Sequence, residues 1–401
     1  RGEALERWLG RSSVDVGGLV ATTHSISNAD FMAGKTTLNR NGATGGIVND
    51  GALTAGLGGY IALLAPEVRN QGVIVAQLGT VALAAGEAYE LQFEGNNTLA
   101  NIRVTPATIK ALVENKSAVK APGGLIILSA QAVDRLQGGV VNNSGRLEAT
   151  GHINDGGQII LAASDSIDHS GSITADAAPN STGTGGTVSV IADLTNPASR
   201  TEVSGAISAR GGLRGGNGGQ IETSASKLRI AATAKVDTQA PKGLSGVWVL
   251  DPTDFTISAG DTAQTDSGIG AQTLETALAA GNVTIATAAA GGDLGDINVN
   301  ADLLWSANKL TLTAHNNINI NAYVNALGSS TLALNPGATG TVKVGFDNSG
   351  RFKGGVSFGG RSGDGILTIG GSDYTIITSL GAEGSATGAD LQGINGDLAK
   401  N

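Results

Sequence analysis

Ser13, Asp15, His24 and Ser25 lie in one short stretch, SVDVGGLVATTHSIS. A serine nucleophile, a histidine base and an aspartate that orients it are the groups used in acyl transfer. That chemistry needs the base held against the nucleophile and an oxyanion site beside both. Closeness in sequence supplies neither, so the simpler reading is a polar corner at Gly17 and Gly18 before an ordinary strand. His152, His169 and His315 fall in separate segments, and His169 sits at a turn where related segments carry Asn or Lys. That favours a tolerated corner residue over a metal ligand. Asp251 and Asp254, in LDPTDF, are the best carboxylate pair for glycosidic chemistry, which needs two such groups across a sugar bond. Pro252 between them makes a turn the simpler account. Trp248, Phe255 and Trp305 read as plugs of a core rather than platforms for sugar rings.

Two glycine-rich stretches also resemble ligand motifs. GGRSGDGIL, from Gly359, is close to the calcium-binding nonapeptide, but its third Gly comes one place late and no second copy follows. GGLRGGNGGQ, from Gly211, lacks the helix and the Lys-Ser/Thr of a phosphate loop. The expectation is no enzyme, no catalytic residue, no cofactor and no metal, with the binding residues unknown.

The elements that would position any site come from composition and repeat. Of 401 residues 62 are Gly, 40% are hydrophobic and only 3% are aromatic. A core built from Val, Ile, Leu and Ala between tight corners points to many short strands. The net charge of −9 argues against nucleic acid, whose phosphates call for clustered Lys and Arg. Cysteine is absent, which excludes disulfides and thiolate metal sites. No stretch reaches the roughly 18 apolar residues of a membrane-spanning helix. Met32 is the only Met and Arg1 opens no recognisable signal peptide, so a piece of a longer precursor is expected.

A nine-residue pattern recurs: IVNDGALTA from Ile47, VRNQGVIVA from Val68, VENKSAVKA from Val113, VNNSGRLEA from Val141, IDHSGSITA from Ile167 and TEVSGAISA from Thr201. A degenerate copy, IAATAKVDT, starts at Ile230. A second element, a Gly pair leading into an apolar strand, accompanies it at Gly58, Gly123, Gly156, Gly185 and Gly218. One Gly-pair strand, a polar corner, a turn and a second strand make one circuit of a parallel β-helix. Such a circuit cannot bury its own face and is stable only when stacked. The rhythm breaks between Val68 and Val113, where YELQF and NIRV flank an EGNN turn. This predicts a β-hairpin extruded at about Gly86–Ala107, followed by a short helix near Ala107–Leu112.

The second half keeps the style. QTLETALAAGN, Gln272–Asn282, predicts a helix stopped by Gly281. Beyond it Asn298, Asn300, Asn317, Asn319 and Asn321 fall on one side of alternating strands, which predicts amide ladders between coils.

VDVGGLVATTHSISNADFMAGK, GGYIALLAPEVRNQGVIVAQLGTVALAAGEAYELQF and VVNNSGRLEATG closely resemble the filamentous haemagglutinin family, the large exoproteins of bacterial two-partner secretion. The likeness covers most of residues 13–240, and GVWVLDPTDFTIS resembles the segment that follows in many such proteins. The resemblance implies an all-β fold, a right-handed parallel β-helix with an extruded β-hairpin and a few short helices. It implies export by a partner outer-membrane β-barrel transporter to the medium or the bacterial cell surface. It also implies adhesion, by a monomer, to a glycan or protein receptor on host cells or surfaces. The family's Asn-Pro-Asn-Gly turn before VDVGG has no counterpart in RGEALERWLGRSS, which reads as a short basic amphipathic helix. Three segments follow: an unmatched residue range 1–12, a secretion and haemagglutination-type β-helix domain at 13–245, and a continuing exoprotein repeat region at 246–401, truncated at its C-terminal end. Two other functions fit the residues less well. One is a stalk that carries a toxin or captures a nutrient-binding partner such as haemopexin. The other is a carbohydrate-active β-helix enzyme using Asp251 and Asp254.

Overall fold

Residues 13–95, 98–134, 138–382 and 390–391 are described by a computed structural model. The basic helix expected within residues 1–12, and the Asn96-Asn97 tip of the expected turn, lie outside the described residues. The chain divides into two compact units, Arg1–Arg229 with Thr233–Trp248, and Ile230–Ala232 with Val249–Asn401.

The first unit is a stack of three-strand coils, and the nine-residue pattern sets its register. Ile47, Val68, Val113, Val141, Ile167 and Thr201 are successive partners in one parallel ladder. The Gly-pair strands form a second ladder, in which Tyr60, Thr80, Leu125, Gln158, Thr187 and Gln220 stack. The back half of each nine-residue segment forms the third, through Leu53, Ile74, Val119, Leu147, Ile173, Ile207 and Val236. Alternate residues point inward, and Val68, Ile74, Val119, Ile126 and Leu147 are fully buried. Each such side chain contributes about 1.5–3 kcal/mol.

A glycine at the corner before each strand of the second ladder, the second of the pair where there is one, answers to a close approach of backbones. Gly79, Gly124, Gly157, Gly186, Gly219 and Gly246 form a column in which an added Cβ would overlap the carbonyl oxygen of the glycine one coil below, down to Gly59 under Gly79. The same carbonyls accept the ladder bonds that start each strand, as in Leu125 N to Gly79 O at 2.9 Å and Gln158 N to Gly124 O at 2.9 Å. Coil spacing therefore leaves no room for a side chain at this corner.

Within the nine-residue ladder the third position carries Asn in four copies, and these amides stack inside the core. Asn49 Nδ2 donates to Asn70 Oδ1, Asn70 to Asn115 and Asn115 to Asn143, each at 2.8 Å. Asn143 donates to His169 Nδ1 at 3.1 Å, and His169 Nε2 donates to Ala206 O at 3.2 Å. All five side chains are buried. A lone buried amide would be destabilising; a directional chain of them satisfies each donor with the next acceptor.

The hairpin expected from the broken rhythm is present as Ala88–Glu94 paired antiparallel with Thr98–Thr105. The helix expected near Ala107–Leu112 is not. Ala107 instead makes a parallel bridge to Ala132, with Ala107 N to Gln131 O at 2.8 Å and Val133 N to Ala107 O at 2.7 Å. Burial of Ala107 and Ala111 against the stack outweighs their local helix preference. A short helix that sequence reading did not foresee, Asn28–Met32, is capped by Ser27 Oγ accepting from Asp30 N.

In the second unit, Phe255–Ser258, Ile297–Val299, Ile318–Ile320 and Val342–Val344 form one parallel ladder. Asn282–Ala286, Lys309–Thr313, Thr331–Asn335 and Gly363–Ile369 form another. The expected helix is Ala271–Ala280, with Leu274 and Leu278 buried. The outer amide pairs form as expected at Asn319 to Asn298, 2.9 Å, and Asn321 to Asn300, 2.8 Å. Asn317 bonds Asp296 in place of an amide.

Replacing Asn115 with Ala leaves the Asn70 donor and the Asn143 acceptor buried without partners. The expected loss is about 3 kcal/mol, read by chemical denaturation; a loss under about 1 kcal/mol would show that the amide column does not support the coil.

Candidate functional site

The feature that departs from the coil is a three-stranded antiparallel sheet laid on its side. Thr37–Asn39 pairs with Ala88–Glu94, and the latter pairs with Thr98–Thr105. Leu38, Tyr89, Leu91, Leu99 and Ile102 pack from this sheet onto Ala62, Leu64, Ala82, Ala84 and Ile127 of the Gly-pair ladder. This contact explains the unbroken apolar run TVALAA, Thr80–Ala85, which is buried on both sides. Thr80 Oγ1 donates to Leu99 O at 2.6 Å, so the one hydroxyl in the run is satisfied by the covering sheet.

His24 sits at the root of this sheet. Its ring lies 4.6 Å from that of Tyr89, and Nε2 meets Gly86 O at 3.1 Å. As a neutral imidazole, His24 donates from Nε2, and its buried Nδ1 has no hydrogen-bond partner. Tyr89 Oη accepts from Gly86 N at 2.9 Å and donates to Ala65 O at 3.0 Å. Arg40 closes the joint from outside, donating from Nε to Glu87 Oε2 at 2.9 Å and from Nη2 to Thr108 Oγ1 at 3.1 Å. The Arg40 guanidinium holds the Glu87 carboxyl below its ordinary value. Burial keeps His24 below the imidazole range and raises the Tyr89 phenol.

The suspected nucleophilic group is thus dispersed. Ser13 and Asp15 lie exposed at the start of strand Ser13–Thr22, opposite Ala52 and Thr54. Ser25 bridges to Asn39 and its Oγ accepts from Asn41. His24 turns into the core toward Gly86. At Gly18 the Tyr60 ring lies where a Cβ would be, and the ring's edge meets Phe93 at 5.4 Å.

The other candidates have structural duties as well. Asp254 Oδ1 accepts from Gly295 N and Asp296 N, both at 2.7 Å, so the carboxylate closes a turn. Asp251 ends the strand Val247–Asp251. Trp248, Phe255 and Trp305 are buried, and Trp248 Nε1 donates to Thr223 Oγ1 at 3.0 Å. Asp364, in the calcium-like stretch, accepts from Thr375 across an antiparallel pair. His152 contacts Gln77 and His315 contacts Leu294 O. Among the described residues no three His, Asp or Glu side chains gather as a metal site would require.

His169 is the corner residue that proved to have a defined duty. Reading the copies for Gly near the middle missed the third-position column, although IVN, VRN, VEN, VNN and IDH show it once aligned. Burial holds His169 below the usual imidazole range, as for His24.

Two outcomes follow. Tyr89→Phe removes the hydroxyl shared by Gly86 N and Ala65 O, and should lower stability by about 2 kcal/mol and speed amide exchange in the hairpin ahead of the coils. The second concerns pH. A histidine kept neutral by the fold stabilises it above the unfolded value near 6.5, and loses this as pH falls, because the unfolded chain then takes the proton. Asp165 and Asp176, raised by burial, act oppositely, weakening the fold as pH rises above 3.8. The difference between wild type and His169→Asn isolates the imidazole. Between about pH 7 and about pH 5 the wild type should lose more Tm than His169→Asn, whose amide continues the column. Parallel losses would remove His169 from the account.

These strands, hairpin and corners can be set beside known proteins. A sequence comparison with curated proteins finds no match. Among solved structures the chain is similar to the HMW1 secretion domain from Haemophilus influenzae, with 18% identity, 89% of this chain and 76% of that chain covered, and a TM-score of 0.46. Residues 10–175 match the TPS secretion domain family. That range takes in the side sheet, its His24–Tyr89 root and all five side chains of the buried column, Asn49 to His169. Residues 10–175 thus carry a TPS secretion domain, the domain of two-partner secretion exoproteins, which are exported to the cell surface or released.

Proposed function

We propose that this exoprotein is a non-enzymatic, monomeric adhesin that attaches bacteria to host cells or surfaces through a glycan or protein receptor. The observation that carries the reading is the TPS secretion domain at residues 10–175, because an exported surface protein is open to contact with host cells. The stacked coils support it. They present long in-register rows of outward residues, a geometry suited to extended contact rather than to a closed reaction site. The charged rows are already paired, as in Arg69 to Glu114 at 2.7 Å and Arg146 to Glu148 at 2.9 Å. The groups weighed for catalysis hold turns, strands and core instead. We further propose a division of roles, with residues 13–245 serving secretion and residues 246–401 continuing the exposed repeat.

Beads coated with the purified chain should bind cultured host cells well above beads coated with an unrelated β-helix protein, and soluble chain should compete. A glycan and protein array then identifies the receptor. Binding no greater than the control would overturn the adhesin reading. Glycan turnover abolished by Asp251→Asn with Asp254→Asn would overturn the non-enzymatic one.

A further inference from the structure

Two of the chain's six phenylalanines, Phe346 and Phe352, stand 59% and 67% exposed at one loop of the second unit. Their rings pack on each other at 4.8 Å. The large aromatics Phe255, Trp305 and Phe358 of the same unit are buried. The loop that carries the pair leaves the coil between Val342–Val344 and Gly355–Ser357.

This loop is a built tip. Phe346 and Phe352 bridge antiparallel, and Lys353 N donates to Gly345 O at 2.7 Å. Inside the tip, Asp347 N donates to Arg351 O at 2.8 Å and Gly350 N to Asp347 O at 3.0 Å. The Asp347 carboxylate accepts from Ser349 N at 2.8 Å and Arg351 N at 2.9 Å. Gly350, at φ 74°, supplies the left-handed residue of the turn. The backbone thus holds both rings outward.

Charge adds a second, independent observation. Lys343, Arg351 and Lys353 are exposed in the loop and the strand that leads into it, and among the described residues none of the three makes an ion pair. The only carboxylate from 343 to 353 is Asp347, committed to the turn. In a chain of net charge −9 this tip is locally cationic.

We propose that the Phe346–Phe352 tip docks on an anionic lipid surface. The rings enter the boundary between headgroups and acyl chains, and the three cations meet lipid phosphates. An apolar wedge ringed by basic side chains matches that interface in both hydropathy and charge. A second copy of the chain fits less well, because a symmetric contact would set the same cations against each other. Single-stranded nucleic acid fits less well too, because the two rings are spent on each other rather than open to stacked bases. The inference is independent of the adhesin reading, since it concerns a lipid surface and not a receptor.

The test is flotation of the full chain with vesicles of phosphatidylcholine alone and of phosphatidylcholine mixed with phosphatidylglycerol. Binding is expected on the anionic vesicles and should weaken with salt. Phe346→Ser with Phe352→Ser, and separately Lys343→Gln with Arg351→Gln and Lys353→Gln, should each weaken it by at least about tenfold. An unchanged thermal melt shows that the variants keep their fold. Absence of wild-type binding, or full binding by either variant, overturns the proposal. So does light scattering in which the Phe variant dissolves a dimer while vesicle binding is unmoved, which would assign the rings to self-association.

Discussion

Parallel, in-register stacking at about 4.8 Å per coil is the constraint from which the other features follow. Register places each residue over its counterpart, so every column must tolerate itself. Apolar columns do so readily: Val68, Val113, Val141 and Ile167 pack like on like. Polar columns do so only where the side chain carries both donor and acceptor. Asn meets that condition, and the run from Asn49 to Asn143 shows each amide using both ends. His169 also meets it, but only when neutral, which is why burial and a lowered pKa go with its place in the column. Val203 in the next coil ends the polar seam.

Charged columns face the opposite problem, since like charges can stack, as Asp168 does beside Glu202. Elsewhere opposite charges meet on the outer face. Arg69 lies between Glu67 and Glu114, Lys116 reaches Glu114, and Glu148 takes Lys120 and Arg146. These exposed pairs each contribute little to stability. Register is held chiefly by the core, because a slip by one residue would turn the apolar side chains outward. At corners the same spacing forbids a Cβ, which the glycine column from Gly79 to Gly246 meets.

The side sheet is the one large departure within the first unit, and it depends on the coil beneath. A two-stranded hairpin alone is marginal in water. Here Leu91, Leu99 and Ile102 find an apolar surface already made by the Gly-pair ladder, while Tyr89 and His24 fasten the root. The residues that looked most like an active site therefore lie where the sheet is tied to the coil. A residue range that includes both is the one that matches the TPS secretion domain. In the second unit Phe346 and Phe352 stand exposed while Phe255, Trp305 and Phe358 go inward.

Residue pattern alone determined a good deal. The spacing of Ile47, Val68, Val113, Val141, Ile167 and Thr201 specified the parallel register, because stacked coils make each repeat its neighbour's template. The break before Val113 specified the hairpin, and QTLETALAAGN specified the helix. Other features required the tertiary structure. Asn49, Asn70, Asn115, Asn143 and His169 became one chain of bonds only when coils separated by tens of residues met. Ala107–Leu112 followed the ladder against its local preference, since backbone pairing with Ala132 and Gln131 was on offer nowhere else. His24 and Gly86, 62 residues apart, met only when the hairpin folded back. Local propensity and repeat are carried by neighbours in sequence; burial, amide pairing and imidazole charge state are set by neighbours in space.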